Sequence, residues 1–190
     1  MKKVEFNEED LGFEEINKVV NKVRAFVVNK KTGKVLLVHY AELYMLPGGS
    51  IDKEEDVLAA LEREIVEESG IVIREEDAVP FLEIDSYDKN YFDRKNGFIN
   101  RLTKTIFFEV ITDQDIDADK KKLTESEKEA GHSIFYVQLG EMNDLIQNNQ
   151  TTNPKRKQFD REILVALSEY LEFKKMELGI VKDGKILVKR

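Results

Sequence analysis

Runs rich in β-branched and apolar residues at 22–28 (KVRAFVV) and 34–40 (KVLLVHY), separated by NKKTGK, predict two strands joined as a hairpin at Gly33. Pro47 and the Gly48-Gly49 pair then force a tight loop in YMLPGGS. A helical pattern follows, with Asp52 as its expected cap, Glu55 completing a capping box and Gly70 as its stop. Beyond it, IVI (71–73), VPFLEIDSY (79–87), RLTKTIFFEVI (101–111) and HSIFYVQL (132–139) read as strands, the middle two facing each other across Asn96-Gly97. Helices are expected at 140–148 and 155–176. In the second, Phe159, Ile163, Leu167 and Leu171 recur every four residues as a core stripe. The tail GIVKDGKILVKR alternates apolar and polar residues around Asp183-Gly184, predicting a C-terminal hairpin appended to the main domain.

One helix breaks the usual separation of apolar and charged faces. At 100° per residue, Val57 and Leu61 share an arc with Glu64 and Glu68, whereas Glu55, Glu62 and Val66 lie opposite. Glu64, Glu67 and Glu68 are spaced i, i+3 and i+4, which puts their side chains about 5–6 Å apart. At an effective dielectric near 20, each such pair repels by about 3 kcal/mol before relaxation and screening. Negative charge in the last turn also opposes the helix dipole. A divalent cation would convert this repulsion into coordination, and an all-oxygen set favours a hard ion such as Mg2+ or Mn2+.

Composition narrows the chemistry. The 190 residues, 41% hydrophobic and 36% charged, suit one globular domain with a sizeable core. A formal charge of −8 argues against general nucleic-acid or anionic-membrane binding. With no cysteine, disulfides and thiolate chemistry are excluded. MKKVEFNEED lacks an apolar signal core and no run approaches a membrane span, so a cytoplasmic location is expected. His39 and His132 are too few for a histidine-rich zinc site and read as strand or loop residues. DQDIDAD (113–119) imitates the start of an EF-hand loop, but Ala118 and Thr124 replace its glycine and closing glutamate; it reads as a solvated loop. In KNYFDRKNGFINRLTK (89–104), Lys89, Arg94, Lys95, Arg101 and Lys104 run against the overall charge, with Tyr91, Phe92 and Phe98 interleaved where a base would stack.

Gly49 to Ile71, GSIDKEEDVLAALEREIVEESGI, resembles the Nudix box G-x5-E-x7-R-E-U-x-E-E-x-G-U at every fixed position, U being aliphatic. The resemblance implies an α/β/α sandwich around a mixed β-sheet over residues 22–176, flanked by an N-terminal extension (1–21) and the C-terminal hairpin (177–190). It implies a Mg2+- or Mn2+-dependent hydrolase that cleaves a diphosphate linkage in a nucleotide-type substrate. By position, Glu67, Glu68 and the Gly49 carbonyl would ligate the metal. Glu64 would ligate it or orient the attacking water, and Arg63 with Glu55 would brace the loop against the helix. The family often takes its general base from a loop before a late strand. Glu125, Glu127 and Glu129 are offered there, and Glu129 is chosen by its distance from Phe135. Arg94 and Arg101 are the expected substrate contacts, and Tyr87 resembles a tyrosine of the dinucleoside polyphosphate branch. The alternative is a non-catalytic Nudix-fold nucleotide-binding sensor or scaffold. Pairing into a homodimer is left open.

Overall fold

The computed structural model describes residues 1–93, 95–177, 181–182 and 185–186. Its core is a seven-stranded mixed sheet in the order β1-β5-β6-β2-β3-β4, with β7 also paired to β3. The strands are β1 (Lys2–Phe6), β2 (Lys18–Asn29), β3 (Val35–Tyr40), β4 (Leu43–Met45), β5 (Ala78–Asp93), β6 (Gly97–Thr112) and β7 (Ser133–Val137). β1–β5 and β2–β6 are parallel; the remaining ladders are antiparallel. The helices are α1 (Val57–Ser69), α2 (Glu125–Glu129), α3 (Met142–Gln147) and α4 (Arg156–Glu177).

Alternation along β2 builds the sandwich, since successive side chains leave a strand on opposite faces. Val23, Ala25 and Val27 pack with Ala60, Leu61 and Ile65 of α1. Phe26 turns the other way, into a second core with Met142 and Ile146 of α3 and Ile163, Ala166, Leu167 and Tyr170 of α4. There the Phe26 and Tyr170 rings stack with centroids 4.3 Å apart.

Several expectations need correction. β1 sits in the sequence read as an N-terminal extension, yet it forms the sheet edge, tied to β5 by Lys3 Nζ to Asp85 at 2.8 Å and Glu83 at 2.9 Å. IVI is not a strand: it links α1 to the sheet, with Ile71 and Ile73 buried in the α1 core. Leu171 is 42% exposed, because a repeat of four residues drifts 40° per step on a helix of 100° per residue; the core face of α4 passes instead through Tyr170 and Phe173. The C-terminal segments β8 (Val181–Lys182) and β9 (Lys185–Ile186) pair antiparallel, while their predicted turn, Asp183-Gly184, lies outside the described residues. No described helix is long and apolar enough to cross a membrane.

Candidate active site

The loop before α1 runs along β2. Backbone hydrogen bonds join Ala25 N–H to Pro47 O at 2.9 Å, Val23 N–H to Gly49 O at 3.0 Å and Ile51 N–H to Asn21 O at 2.9 Å. From the opposite face of the sheet, Arg24 Nη1 donates to Leu46 O at 2.6 Å and Gly48 O at 2.7 Å. Gly48 has φ +131°, and a Cβ there would lie 2.2 Å from Val23 O, so glycine alone lets the loop approach the strand this closely. A Cβ on Gly49 would lie 2.3 Å from the Glu64 carboxyl, which rests directly over this residue.

α1 starts one residue after Asp56, whose side chain accepts from Leu58 N–H at 2.8 Å. Asp56 is therefore the N-cap, in place of the expected Asp52. Asp52 belongs to the loop, where its N–H donates to Glu55 Oε2 at 2.9 Å. Gly70 closes the helix at φ 75°, with its N–H on Val66 O. The last turn has no basic residue; its carbonyls are satisfied by the segment that imitates an EF-hand and by its continuation. Asp117 N–H reaches Ser69 O and Lys122 N–H reaches Glu67 O, both at 2.9 Å. That loop seals the acidic helix end.

Arg63 organises the carboxylates. Its guanidinium forms a fork onto Glu55, Nε to Oε1 at 2.8 Å and Nη2 to Oε2 at 2.9 Å, and Nη2 also donates to Ser50 O at 3.0 Å. Nη1 reaches Glu64 Oε1 at 2.8 Å and Glu67 Oε2 at 3.5 Å. Hydrogen bonds from Arg63 hold the Glu55 carboxyl down to about 2, and the Asp52 N–H adds to the effect. Glu64 moves the other way: burial pushes its carboxyl up, opposed by Arg63 and reinforced by Glu68 and Glu67.

Glu68 is only 7% exposed. Its Oε2 accepts Gly48 N–H at 2.9 Å, and Oε1 lies 3.5 Å from Nε2 of His132. The His132 side chain is 2% exposed and neither ring nitrogen has a hydrogen-bond partner. The sequence reading missed this contact, because only the β3–β7 pairing brings residues 132–137 beside the loop. Among the described residues, no three acidic or histidine side chains stand ready around one point to hold an ion. Arg63 takes Glu64, and the Gly48 N–H takes Glu68. The Gly49 carbonyl accepts from Val23 and keeps its second lone pair.

The other expected site residues are scattered. Glu129 is exposed on α2, three residues before His132, and among the described residues no hydrogen bond or ion pair joins it to α1. Glu125 pairs with Lys128 at 2.7 Å, and the Glu127 side chain lies outside the described residues. Arg94 also lies outside them. Arg101 bonds Asp88 Oδ2 through Nη2 at 2.7 Å and stacks 3.4 Å over the Tyr91 ring. A bulge between Asp88 and Tyr91, with Asn90 at φ 53°, re-aims that strand beneath it. Tyr87 lines a cavity of about 430 Å3 with Glu8, Lys89, Lys157 and Arg161. Phe92 and Phe98 pair edge-to-face at the hairpin tip, 62% and 73% exposed.

A family model described as NUDIX domain matches residues 19–163. No curated protein sequence matches the chain. Among solved structures, a NUDIX hydrolase from Nitrosomonas europaea is 18% identical, with 87% of this chain and 99% of that one covered and a TM-score of 0.52. The NUDIX domain of Shewanella oneidensis NrtR, complexed with ADP ribose, is 17% identical over 86% of this chain and 94% of that one, with a TM-score of 0.49. An Ap4A hydrolase of C. elegans, solved as a binary complex, is 14% identical over 82% and 96%, with a TM-score of 0.48. At 18% identity the likeness to the Nitrosomonas europaea structure is one of fold.

Proposed function

The chain belongs to the Nudix family of hydrolases, which act on phosphoric anhydride bonds, and from that premise we propose that it cleaves the diphosphate linkage of a nucleoside diphosphate joined to a further moiety, with Mg2+ or Mn2+ as cofactor. The observation that best supports this reading is the pair of carboxylates turned inward on α1, Glu64 over Gly49 and Glu68 held by Gly48 N–H, with the more exposed Glu67 at their edge. A plain acidic helix would turn those charges to water.

The donor set suits a hard divalent ion. Three carboxylates and a backbone carbonyl are oxygen ligands, and a cation relieves the burial and mutual repulsion that push Glu64 upward. Glu64, Glu67, Glu68 and Gly49 O would hold the ion, which neutralises phosphate oxygens and makes water more acidic. The remaining work falls to the chain. Arg63 and Glu55 lock the loop to α1, and the Gly48 N–H orients Glu68, with the His132 ring 3.5 Å from its other oxygen. Glu129 is the proposed general base for the attacking water, with Glu64 next in line. Arg94, Arg101 and Tyr87 are the proposed substrate contacts.

The test is a panel of nucleoside diphosphate compounds, each incubated with Mg2+ and the products resolved by chromatography, for wild type and for Glu67→Gln and Glu68→Gln. Turnover that both substitutions nearly abolish, with circular dichroism unchanged, is the expected result. Wild-type turnover in either variant would refute the assignment of these ligands. Nucleotide binding without turnover by the wild type would favour the non-catalytic alternative.

A further inference from the structure

Glu68 keeps one oxygen for an ion. Its Oε2 accepts Gly48 N–H at 2.9 Å, so the atom free to ligate is Oε1, and the side chain facing Oε1 is His132, with Nε2 3.5 Å away. The chain pins His132 on both sides: Ala41 N–H donates to Ala130 O at 3.1 Å, and the β3–β7 ladder begins at Ser133, opposite His39. The His132 side chain is 2% exposed, and both ring nitrogens are buried without a hydrogen-bond partner.

Such a ring is costly to hold. Whichever nitrogen carries the proton, the other presents a lone pair, and buried polar atoms are otherwise nearly always paired. The contact with Glu68 is not a hydrogen bond, yet its length suits two ligands of one ion. A nitrogen and an oxygen each about 2.0–2.2 Å from a divalent cation, at angles between right and tetrahedral, stand roughly 2.8–3.5 Å apart. No cation of the chain competes for the place. Arg63 directs its donors to Glu55, Ser50, Glu64 and Glu67, and among the described residues neither a lysine nor an arginine pairs with Glu68.

Resting on the metal-dependent hydrolase reading above, we propose that His132 Nε2 is a ligand of the ion carried by Glu68, so that the site places one nitrogen donor among its oxygens and selects Mn2+ or Co2+ over Mg2+. The Nε2 lone pair then has its partner and Nδ1 carries the proton. Mg2+ gains little from the ring, since it favours oxygen ligands and retains its water.

The experiment reads metal binding and needs no turnover. Protein stripped with EDTA is titrated with Mg2+, Mn2+ and Co2+ while its melting temperature is followed, for wild type, His132→Gln and His39→Gln. His39 is the control: it stands beside Tyr44, on the face of β3 turned away from α1, and its replacement leaves His132 as the remaining one of two histidines. His132→Gln should weaken Mn2+ and Co2+ binding by about tenfold or more, at least the weight of a residue that merely supports a ligand. The Mg2+ midpoint should stay unchanged, because the new amide offers an oxygen, and His39→Gln should match wild type with all three ions. Equal losses for Mg2+ and Co2+ would overturn the proposal, since a residue that only braces the loop acts on every ion alike. A second measurement does not depend on how His132→Gln folds. Proton NMR of the Co2+-loaded His39→Gln protein should show one exchangeable, paramagnetically shifted imidazole N–H, from Nδ1 of the coordinated ring; its absence would also overturn the proposal. If that signal and the selective loss appear while no nucleoside diphosphate compound is hydrolysed, the ligand stands and the hydrolase reading falls. If hydrolysis occurs without the signal, the hydrolase reading stands and His132 is no ligand.

Discussion

Adjacent glycines in the loop before α1 should respond to alanine in opposite ways. At Gly48 the new Cβ meets backbone, 2.2 Å from Val23 O and 3.0 Å from Arg24 Cα, at a φ of +131° that side chains rarely adopt. Strain of that kind costs about 1–3 kcal/mol. Relieving the contact means lifting the loop from β2, which weakens the Val23–Gly49 hydrogen bond, the two Arg24 bonds and the Gly48 N–H bond to Glu68. A neutral bond is worth about 0.5–1.5 kcal/mol and a bond to a charged group about 1.5–3 kcal/mol, so Gly48→Ala should cost about 3–5 kcal/mol, a large part of a typical total of about 5–15 kcal/mol. At Gly49 the clash is with the mobile end of Glu64. That carboxylate can swing aside for about 1 kcal/mol or less, since its main partner is a partly exposed arginine. Gly49→Ala should therefore keep its stability and lose its grip on the metal. Guanidinium unfolding in EDTA reads the first effect, and Mn2+ titration of the melting temperature reads the second. A Gly48→Ala variant within 1 kcal/mol of wild type, or a Gly49→Ala variant with an unaltered Mn2+ response, would refute this account of the loop.

Three further outcomes follow from the site. Millimolar Mg2+ or Mn2+ should raise the wild-type melting temperature, with EDTA reversing the rise, because only the folded loop and helix assemble the ligands; calorimetry checks this. Glu129→Gln should lower kcat by about 10²–10⁴-fold without altering the Mn2+ response, as loss of a general base does; if kcat is unchanged, Glu64→Gln becomes the variant to measure. Finally, the Glu55 carboxyl is held at about 2 in the fold, below its ordinary value of 4.5. Its contribution is present above that ordinary value and is lost as pH falls toward 2. Across that window, urea midpoints should fall more steeply for wild type than for Glu55→Gln, and parallel slopes would contradict the Arg63–Glu55 brace.

What could be read from sequence was whatever local pattern decides. The body of the carboxylate helix, its stop at Gly70 and the β5–β6 hairpin all rest on spacing and turn residues within a few positions, whereas the helix start was read four residues early, at Asp52 instead of Asp56. The family match over residues 19–163 agrees with the box read from 49–71. β1 was illegible because KKVEF has only two apolar side chains, and an edge strand is held by its backbone ladder and by Lys3. His132 could not be placed beside Glu68 without knowing that β7 pairs with β3. Lys22 and Arg24 did leave a trace. They alternate with Val23 and Ala25 on the same side as Phe26, a core residue, which marks them as inward-facing charges.

The parallel ladder between β2 and β6 fixes the order in which the molecule can assemble. Residues 18–29 take their neighbours from residues 101–112, with α1 and β5 made in between. An isolated helix of 13 residues is marginal in water even when capped at both ends, and the loop that positions its carboxylates hangs from Asn21, Val23 and Ala25. Pairings so distant along the chain close slowly. During synthesis, which proceeds from the N-terminus, the carboxylate helix therefore leaves the ribosome well before the strand that completes its platform. A nascent chain ending short of Thr112 carries every residue of the motif and lacks the sheet that would make it a site.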